Sequence, residues 1–494
     1  MPAGRAHIVC HGCQMNRLDA ELVAQVLRDA GWEVVNDPDS ADAVLFITCS
    51  VRAHAEDRVF SNLGALAARK RARLRPGDDR AGPLIGLLGC MAQQHGPAVW
   101  QRAPQVDLVV APGRLADLPD LLAAARRGER VLALDPPRAA GPADPFAAPD
   151  AALDRLESRR PLPRTSGRAM VRAMRGCDNF CSYCVVPRVR GPERSRSPAA
   201  VLEEVRVLAG QGALEITLLG QAVNQYAAQE VGRRWDLADL LAAAAEVPGL
   251  ARLRFITNHP RAITDRLAAV FRGMPNVCPH LHMPAQAGSD AVLRRMNRGY
   301  TAAEYVERVA MVRAARPGVG VYSDFIVGFP GETPEDFEAT LDLVRQVRPA
   351  GAFVFRYSPR PGTRAAGLPD DVPDAEKRRR HRDLLALVGQ ISEEENRAFI
   401  GRTVEVLVEG PSPRQRQAGG RRPESGGEAT AFGQRCRGRA SGLQSPASGL
   451  QLRGRTPCHR LVVFDGPRDL IGQAVGVRIG GATPLTLLAE LAMR

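Results

Sequence analysis

Lysine is almost absent from this chain. Lys70 and Lys377 are the only two, so nearly all of the positive charge behind the formal net charge of +13 is arginine. A basic balance suits a polyanionic partner such as nucleic acid. GC-rich coding also gives an arginine excess, and ten arginines against two glutamates between residues 411 and 460 supply +8 of the total. Charge alone therefore does not single out RNA. No run of eighteen or more apolar residues exists, which excludes a transmembrane helix. The N-terminal Met-Pro-Ala-Gly-Arg-Ala-His has no apolar signal region. A cytoplasmic protein with no membrane attachment is expected. Disulfides are rare in that compartment, so clustered cysteines point to metal or catalysis. The hydrophobic fraction of 45% excludes a disordered chain, and 494 residues suit about three domains.

What the chain does have is six of its ten cysteines in two trios. Cys177, Cys181 and Cys184 lie together in Arg-Gly-Cys-Asp-Asn-Phe-Cys-Ser-Tyr-Cys, and Cys13, Cys49 and Cys90 are dispersed, each just after a short apolar run. Structural zinc takes four ligands, whereas a four-iron cluster held by three thiolates keeps one iron open. Two trios thus suggest two clusters, each with a vacant corner. For the compact trio, zinc lacks a fourth thiolate at comparable spacing, and His259 would join only by chance of folding. For the dispersed trio, the alternative is three buried core cysteines. Cys10, Cys278, Cys436 and Cys458 are left over, and Cys10 fits a strand pattern and core packing.

Residues 1–135 alternate strand-like runs (7–10, 43–48, 84–88, 106–110 and 130–134) with helical patterns (18–30, 52–71 and 115–127). That alternation predicts a parallel sheet with crossover helices. Ligands of such sheets sit beyond the strand carboxyl ends, which is where each dispersed cysteine falls. Residues 136–164 are rich in proline and alanine and read as a linker or a long crossing segment. Residues 165–398 hold six strand candidates (169–174, 215–219, 252–256, 280–283, 318–328 and 352–357) separated by helical patterns, as in an open sheet or a partial barrel. Residues 399–494 have short β-rich runs suited to a small antiparallel barrel, interrupted by an arginine-rich insertion at about 411–454 whose composition reads as disordered. The fold class is α/β.

At the compact trio the chain resembles the radical S-adenosylmethionine superfamily. Further along it is similar to the methylthiotransferases within it. Gly12-Cys13-Gln14-Met15-Asn16, Thr48-Cys49-Ser50-Val51-Arg52 and Gly89-Cys90-Met91-Ala92-Gln93 look like that family's N-terminal signatures. Leu219-Gly220-Gln221, Asn258-His259-Pro260, Gln286-Ala287-Gly288-Ser289-Asp290 and Met296-Asn297-Arg298-Gly299-Tyr300 also match. So do the segment from Asp324 through Gly328 to Glu332 and Tyr357-Ser358-Pro359-Arg360-Pro361-Gly362-Thr363. The resemblance implies an N-terminal domain with an auxiliary cluster, a partial (βα)6 radical S-adenosylmethionine barrel and a TRAM-like RNA-binding barrel. It implies two [4Fe-4S] clusters, held by Cys13, Cys49 and Cys90 and by Cys177, Cys181 and Cys184. S-adenosylmethionine is the further cofactor, with Gly220, Gln221, Gly328 and Glu332 as candidate contacts. Glu332 suits a cofactor hydroxyl or a helix cap equally. Ala222 stands where the family usually has asparagine.

Gln14-Met15-Asn16 with Ser50-Val51-Arg52 is similar to the bacterial subgroup acting on tRNA. The implied reaction adds a methylthio group to carbon 2 of N(6)-dimethylallyladenosine next to the anticodon. That carbon is a poor site for polar attack, which is why radical chemistry is required. The implied partners are tRNA, an external electron donor and an unidentified sulfur source, with the chain acting as a monomer. Two other readings stand beside this one. One is a methylthiotransferase acting on a ribosomal protein side chain, the other a non-catalytic iron–sulfur RNA-binding regulator.

Overall fold

The computed structural model describes residues 3–50, 53–73, 82–136, 144–162, 167–413 and 450–492. The chain divides into two compact units. The first is Met1–Arg160 with Arg175–Phe180 and Cys184–Arg194, and the second is Pro161–Met174, Cys181–Tyr183 and Ser195–Arg494.

The first unit is built on a parallel six-stranded sheet, in the order β2-β1-β3-β4-β5-β6. The strands are β1 (Gly4–Cys10), β2 (Trp32–Val34), β3 (Ala43–Thr48), β4 (Leu84–Gly89), β5 (Leu108–Val110) and β6 (Val131–Ala133). β3 is buried along its whole length. Ala43, Leu45 and Ile47 enter one core with Val23, Val26 and Leu122, while Val44 and Phe46 enter another with Val59 and Leu63. A strand covered on both faces has no polar alternation, which is why 43–48 reads as an unbroken apolar run. Each fully buried aliphatic side chain contributes about 1.5–3 kcal/mol. β2 was not foreseen, being three residues with an exposed Glu33 at its centre. The stretch expected to link the domains contains helix Ala147–Glu157, whose Leu153 is buried in the first unit's core.

In the second unit all six expected core strands form. Arg168–Arg172, Glu215–Leu219 and Arg252–Ile256 pair in parallel, as do His280–His282, Gly320–Val327 and Gly351–Arg356. A parallel bridge from Leu253 to Val277 lies between the two sets. Among the described residues the first and last strands do not pair, so the arrangement is a partial barrel. Helix Asp374–Arg397 packs Leu384, Val388 and Ile391 into the same core.

The C-terminal strands close a barrel in the order Thr403–Pro411, Leu450–Arg455, Leu461–Gly466, Leu487–Leu491, Ala474–Ala482. Its core is Val406, Val408, Leu452, Val462, Phe464, Val477, Ile479 and Leu487. Two expectations change here. Leu461–Gly466 and Leu487–Leu491 run parallel, so the barrel is not wholly antiparallel. The expected insertion overlaps two barrel strands, because Pro411 ends one and Leu450–Arg455 is another. Residues 414–449 of it, with Cys436, lie outside the described residues.

The barrel is tied to the amino ends of the core strands. Glu215, the first residue of its strand, is buried and paired with Arg254 and Arg168, each at 2.9 Å. Arg252 reaches Glu405 at 2.8 Å, and Arg254 donates to the Thr456 and Pro457 carbonyls at 2.9 and 2.7 Å. The carboxyl ends of the core strands are left for other contacts.

Candidate functional site

Cys13 follows β1, Cys49 follows β3 and Cys90 follows β4, and these three strands are neighbours in the sheet. The register pairs Cys10 with Ile47 and Thr48 with Gly89, so Cys49 and Cys90 are the next residues on adjacent strands. Cys13 caps the N-terminus of helix α1 (Gln14–Asp29). Its backbone N–H and its thiol both donate to Asn16 Oδ1 at 3.2 Å. Asn16 is fully buried and donates through Nδ2 to the Thr48 carbonyl at 2.9 Å, and Thr48 Oγ1 donates to the Leu88 carbonyl at 2.8 Å. This relay ties the three cysteine-bearing strand ends together. Gly89 has φ +93°, and a Cβ there would lie 2.9 Å from the Thr48 carbonyl oxygen, so only glycine turns the chain into Cys90 without strain.

The chemistry of the trio is shifted accordingly. A hydrogen bond from Cys49 pulls the Cys13 thiol down to about 6, with the Arg190 guanidinium acting in the same direction. Burial pushes the Cys90 thiol up, and Arg190 works against that rise. Cys10, by contrast, is pushed up to about 12 by burial, which suits an inert core thiol. Ser50 Oγ, beside Cys49, is buried with no hydrogen-bond partner among the described residues.

Of the compact trio, Cys177 and Cys184 belong to the first unit and Cys181 to the second. In the first unit the Cys177 N–H donates to the Gly191 carbonyl at 3.2 Å, and Asn179 Nδ2 donates to the Cys177 sulfur at 3.2 Å. Glu193 is pushed up to about 7 by burial and by Asp178 beside it. In the second unit Arg298 donates to the Cys181 sulfur at 3.1 Å and to the Tyr300 hydroxyl at 3.0 Å. Ser182, next to Cys181, is held by its N–H to the Met296 carbonyl at 2.9 Å and its Oγ to the Arg295 carbonyl at 2.8 Å.

Gly220 and Gln221 follow strand Glu215–Leu219, and a Cβ on Gly220 would press on Met174 and on the backbone of Val223. Gly328 follows strand Gly320–Val327 with φ +70°, and Lys377 occupies the space a Cβ would need. Glu332 accepts the Gly328 N–H at 2.5 Å and pairs with Arg380 at 2.8 Å through Oε2, while Oε1 is buried and unpartnered among the described residues. Burial pushes its carboxyl up, against the pull of Arg380. It does not cap helix Pro334–Val347, where Thr333 accepts the Asp336 N–H. Two more buried acceptors lack partners at these carboxyl ends, Asn258 Oδ1 and Tyr357 Oη. His259 is no base near neutrality, since burial lowers it to about 3.

Among the described residues no three His, Cys, Asp or Glu side chains are grouped as a single metal ion needs. The fit to clusters rests on the donor set. Three thiols stand at neighbouring strand ends, three more lie within eight residues, and each trio has N–H donors aimed at sulfur, which favour the thiolate form that ligates iron. The unpartnered buried acceptors fit a polar cofactor at the carboxyl ends of the barrel strands. Sequence reading did not single out Arg190 or Glu193, and Asn16 stood in two quoted segments without a role of its own. Arg298 lay in a quoted motif, but no role was given to it.

Residues 171–344 match the Radical SAM superfamily, and residues 5–111 match the uncharacterized protein family UPF0004. The fold and the cysteine segments thus define a radical S-adenosylmethionine protein with an additional N-terminal domain. A tRNA-2-methylthio-N(6)-dimethylallyladenosine synthase of Rhodopirellula baltica is 43% identical over 482 residues, covering 97% of this chain and 94% of the relative. One of Geobacter sulfurreducens is 45% identical over 489 residues, covering 98% and 97%. The chain belongs to the family of tRNA-2-methylthio-N(6)-dimethylallyladenosine synthases. Among solved structures, the radical S-adenosylmethionine methyltransferase TsrM of Kitasatospora setae covers 74% of each chain at 16% identity and a TM-score of 0.45, too distant to add to the assignment.

Proposed function

We propose that this chain adds a methylthio group to carbon 2 of N(6)-dimethylallyladenosine beside the anticodon of tRNA. The observation that carries the reading is the pair of cysteine trios on a chain that aligns over its full length with synthases of that name. Cys177, Cys181 and Cys184 would hold one [4Fe-4S] cluster, and Cys13, Cys49 and Cys90 a second. When bound, the first supplies the electron that splits S-adenosylmethionine to a 5′-deoxyadenosyl radical, and the second supplies a place for the methylthio sulfur. The residues do the rest. Arg298 and Asn179 direct N–H groups at the Cys181 and Cys177 sulfurs. Gly220 and Gly328 let Met174 and Lys377 pack closely at the strand carboxyl ends, and Gln221 and the free oxygen of Glu332 offer an adenosyl group polar contacts there. The target base leaves its stack at a cost of about a few kcal/mol, which arginine–phosphate contacts offset. The enzyme acts as a cytoplasmic monomer, drawing electrons from an external donor and sulfur from a source the chain does not identify. Among the described residues no helix is long and apolar enough to cross a membrane.

Nucleoside mass spectrometry of tRNA tests this. A deletion strain should lose the methylthio adenosine, the parent gene should restore it, and the Cys177→Ala gene should not. Unchanged methylthio adenosine in the deletion strain refutes the substrate, and a lost modification on a ribosomal protein instead would replace it.

A further inference from the structure

We propose that Arg190 is a positioning residue for the cluster of the dispersed trio, setting its reduction potential through a hydrogen bond to Cys90. This rests on reading Cys13, Cys49 and Cys90 as ligands. Arg190 is buried, and its Nε–H donates to the Cys90 sulfur at 3.1 Å. Nη2 donates to Asp19 Oδ2 at 2.6 Å, and Nη1 lies 3.5 Å from Oδ1. Asp19 is itself fully buried, on helix α1 six residues beyond Cys13. A lone buried guanidinium is costly, so the carboxylate anchors the fork and leaves Nε–H as the directed donor. The short helix Val186–Val189 delivers Arg190, and its Val189 together with Val185 packs on Cys90.

The placement has a second consequence. Arg190 comes six residues after Cys184, and the neighbouring Gly191 carbonyl accepts the Cys177 N–H at 3.2 Å. One dipeptide therefore touches a ligand of each trio, Cys90 through a side chain and Cys177 through the backbone. An N–H directed at a cluster sulfur stabilises the more negative, reduced state, as hydrogen bonds to sulfur are known to raise cluster potentials. Removing it should make the dispersed centre harder to reduce and leave the compact centre unchanged. A residue that merely clamps the 184–194 segment would shift neither potential.

The test uses the anaerobically reconstituted full-length chain. A Cys177→Ala background isolates the dispersed centre and a Cys13→Ala background the compact one. Midpoints are read by electron paramagnetic resonance during redox titration, with iron and sulfide counted. In the Cys177→Ala background, Arg190→Lys and Arg190→Met should keep about four irons. The reduced-to-oxidised ratio at a fixed potential should drop about tenfold, which is about 59 mV for a one-electron couple. In the Cys13→Ala background the same substitutions should leave the midpoint where it was. Unchanged dispersed-centre midpoints in both variants overturn the proposal, and so do equal shifts of both centres. If Arg190→Met fails to fold, Arg190→Lys decides. If Cys177→Ala alone binds no iron, the ligand reading itself fails, separately from the role of Arg190.

Discussion

Cys177, Cys181 and Cys184 lie within eight residues of chain, whereas Cys13, Cys49 and Cys90 come from three strand ends and meet only because β1, β3 and β4 are neighbours. The first arrangement is set by sequence spacing, since one short stretch of chain carries all three cysteines. The second is a product of the sheet order and of the Asn16–Thr48–Leu88 relay. The difference teaches where each site is vulnerable. The compact trio should tolerate disturbance of the first unit's sheet, and the dispersed trio should not.

The largest effect expected is on the cysteines. Cys177→Ala should abolish 5′-deoxyadenosine formation and leave about half of the roughly eight irons of the parent. Cys13→Ala should lose a similar share of iron but still cleave S-adenosylmethionine. Iron analysis with chromatography of the nucleoside product separates the two, and identical behaviour would erase the contrast. Asn16→Ala comes next. It leaves the Thr48 carbonyl and the Cys13 N–H without their partner, at about 1–3 kcal/mol. Denaturant unfolding should show that loss, and reconstitution should yield iron at the compact trio alone. Gly89→Ala, forced into φ +93° and ψ −153°, should cost about 1–3 kcal/mol before its contact with Thr48 is counted. Reduced stability with the compact cluster intact is the expected result.

The smallest effect sharpens the comparison from the other side. The rings of His280 and His459 lie 4.6 Å apart, tilted by 45°, in the second unit, and burial holds both well below the ordinary histidine value of 6.5. They fold in the neutral form, whereas the unfolded chain takes up protons as the pH falls through about 6.5. Their contribution is therefore present above that value and is lost progressively below it. The melting temperature should hold from pH 8 to 7 and decline below 6.5, less so in a His280→Phe variant. A flat profile through that range would remove these histidines from the account.

Much of this was legible beforehand. The six core strands stand where the apolar patterns put them, because each carries a buried apolar run. Leu450–Arg455 was lost because its two arginines and glycine look like the neighbouring insertion, and only Leu452 and Gly454 are buried. Helix Asp374–Arg397 went unnamed because charges dilute Leu384, Val388 and Ile391. The compact trio announces itself by spacing. Arg190 does not, since its carboxylate partner Asp19 is 171 residues away and only the folded sheet joins them.

The ion network around Glu215 fixes more than stability. It fastens the C-terminal barrel to the rim where the core strands begin, while Gly220 and Gly328 lie where strands end. A strand of five residues at about 3.3 Å per residue puts some 16 Å between the two rims. Under the proposed function, an RNA held by the barrel would have to cross that interval to present its base. Fragments too short to bridge the gap should bind at one end only and forfeit the grip of the other.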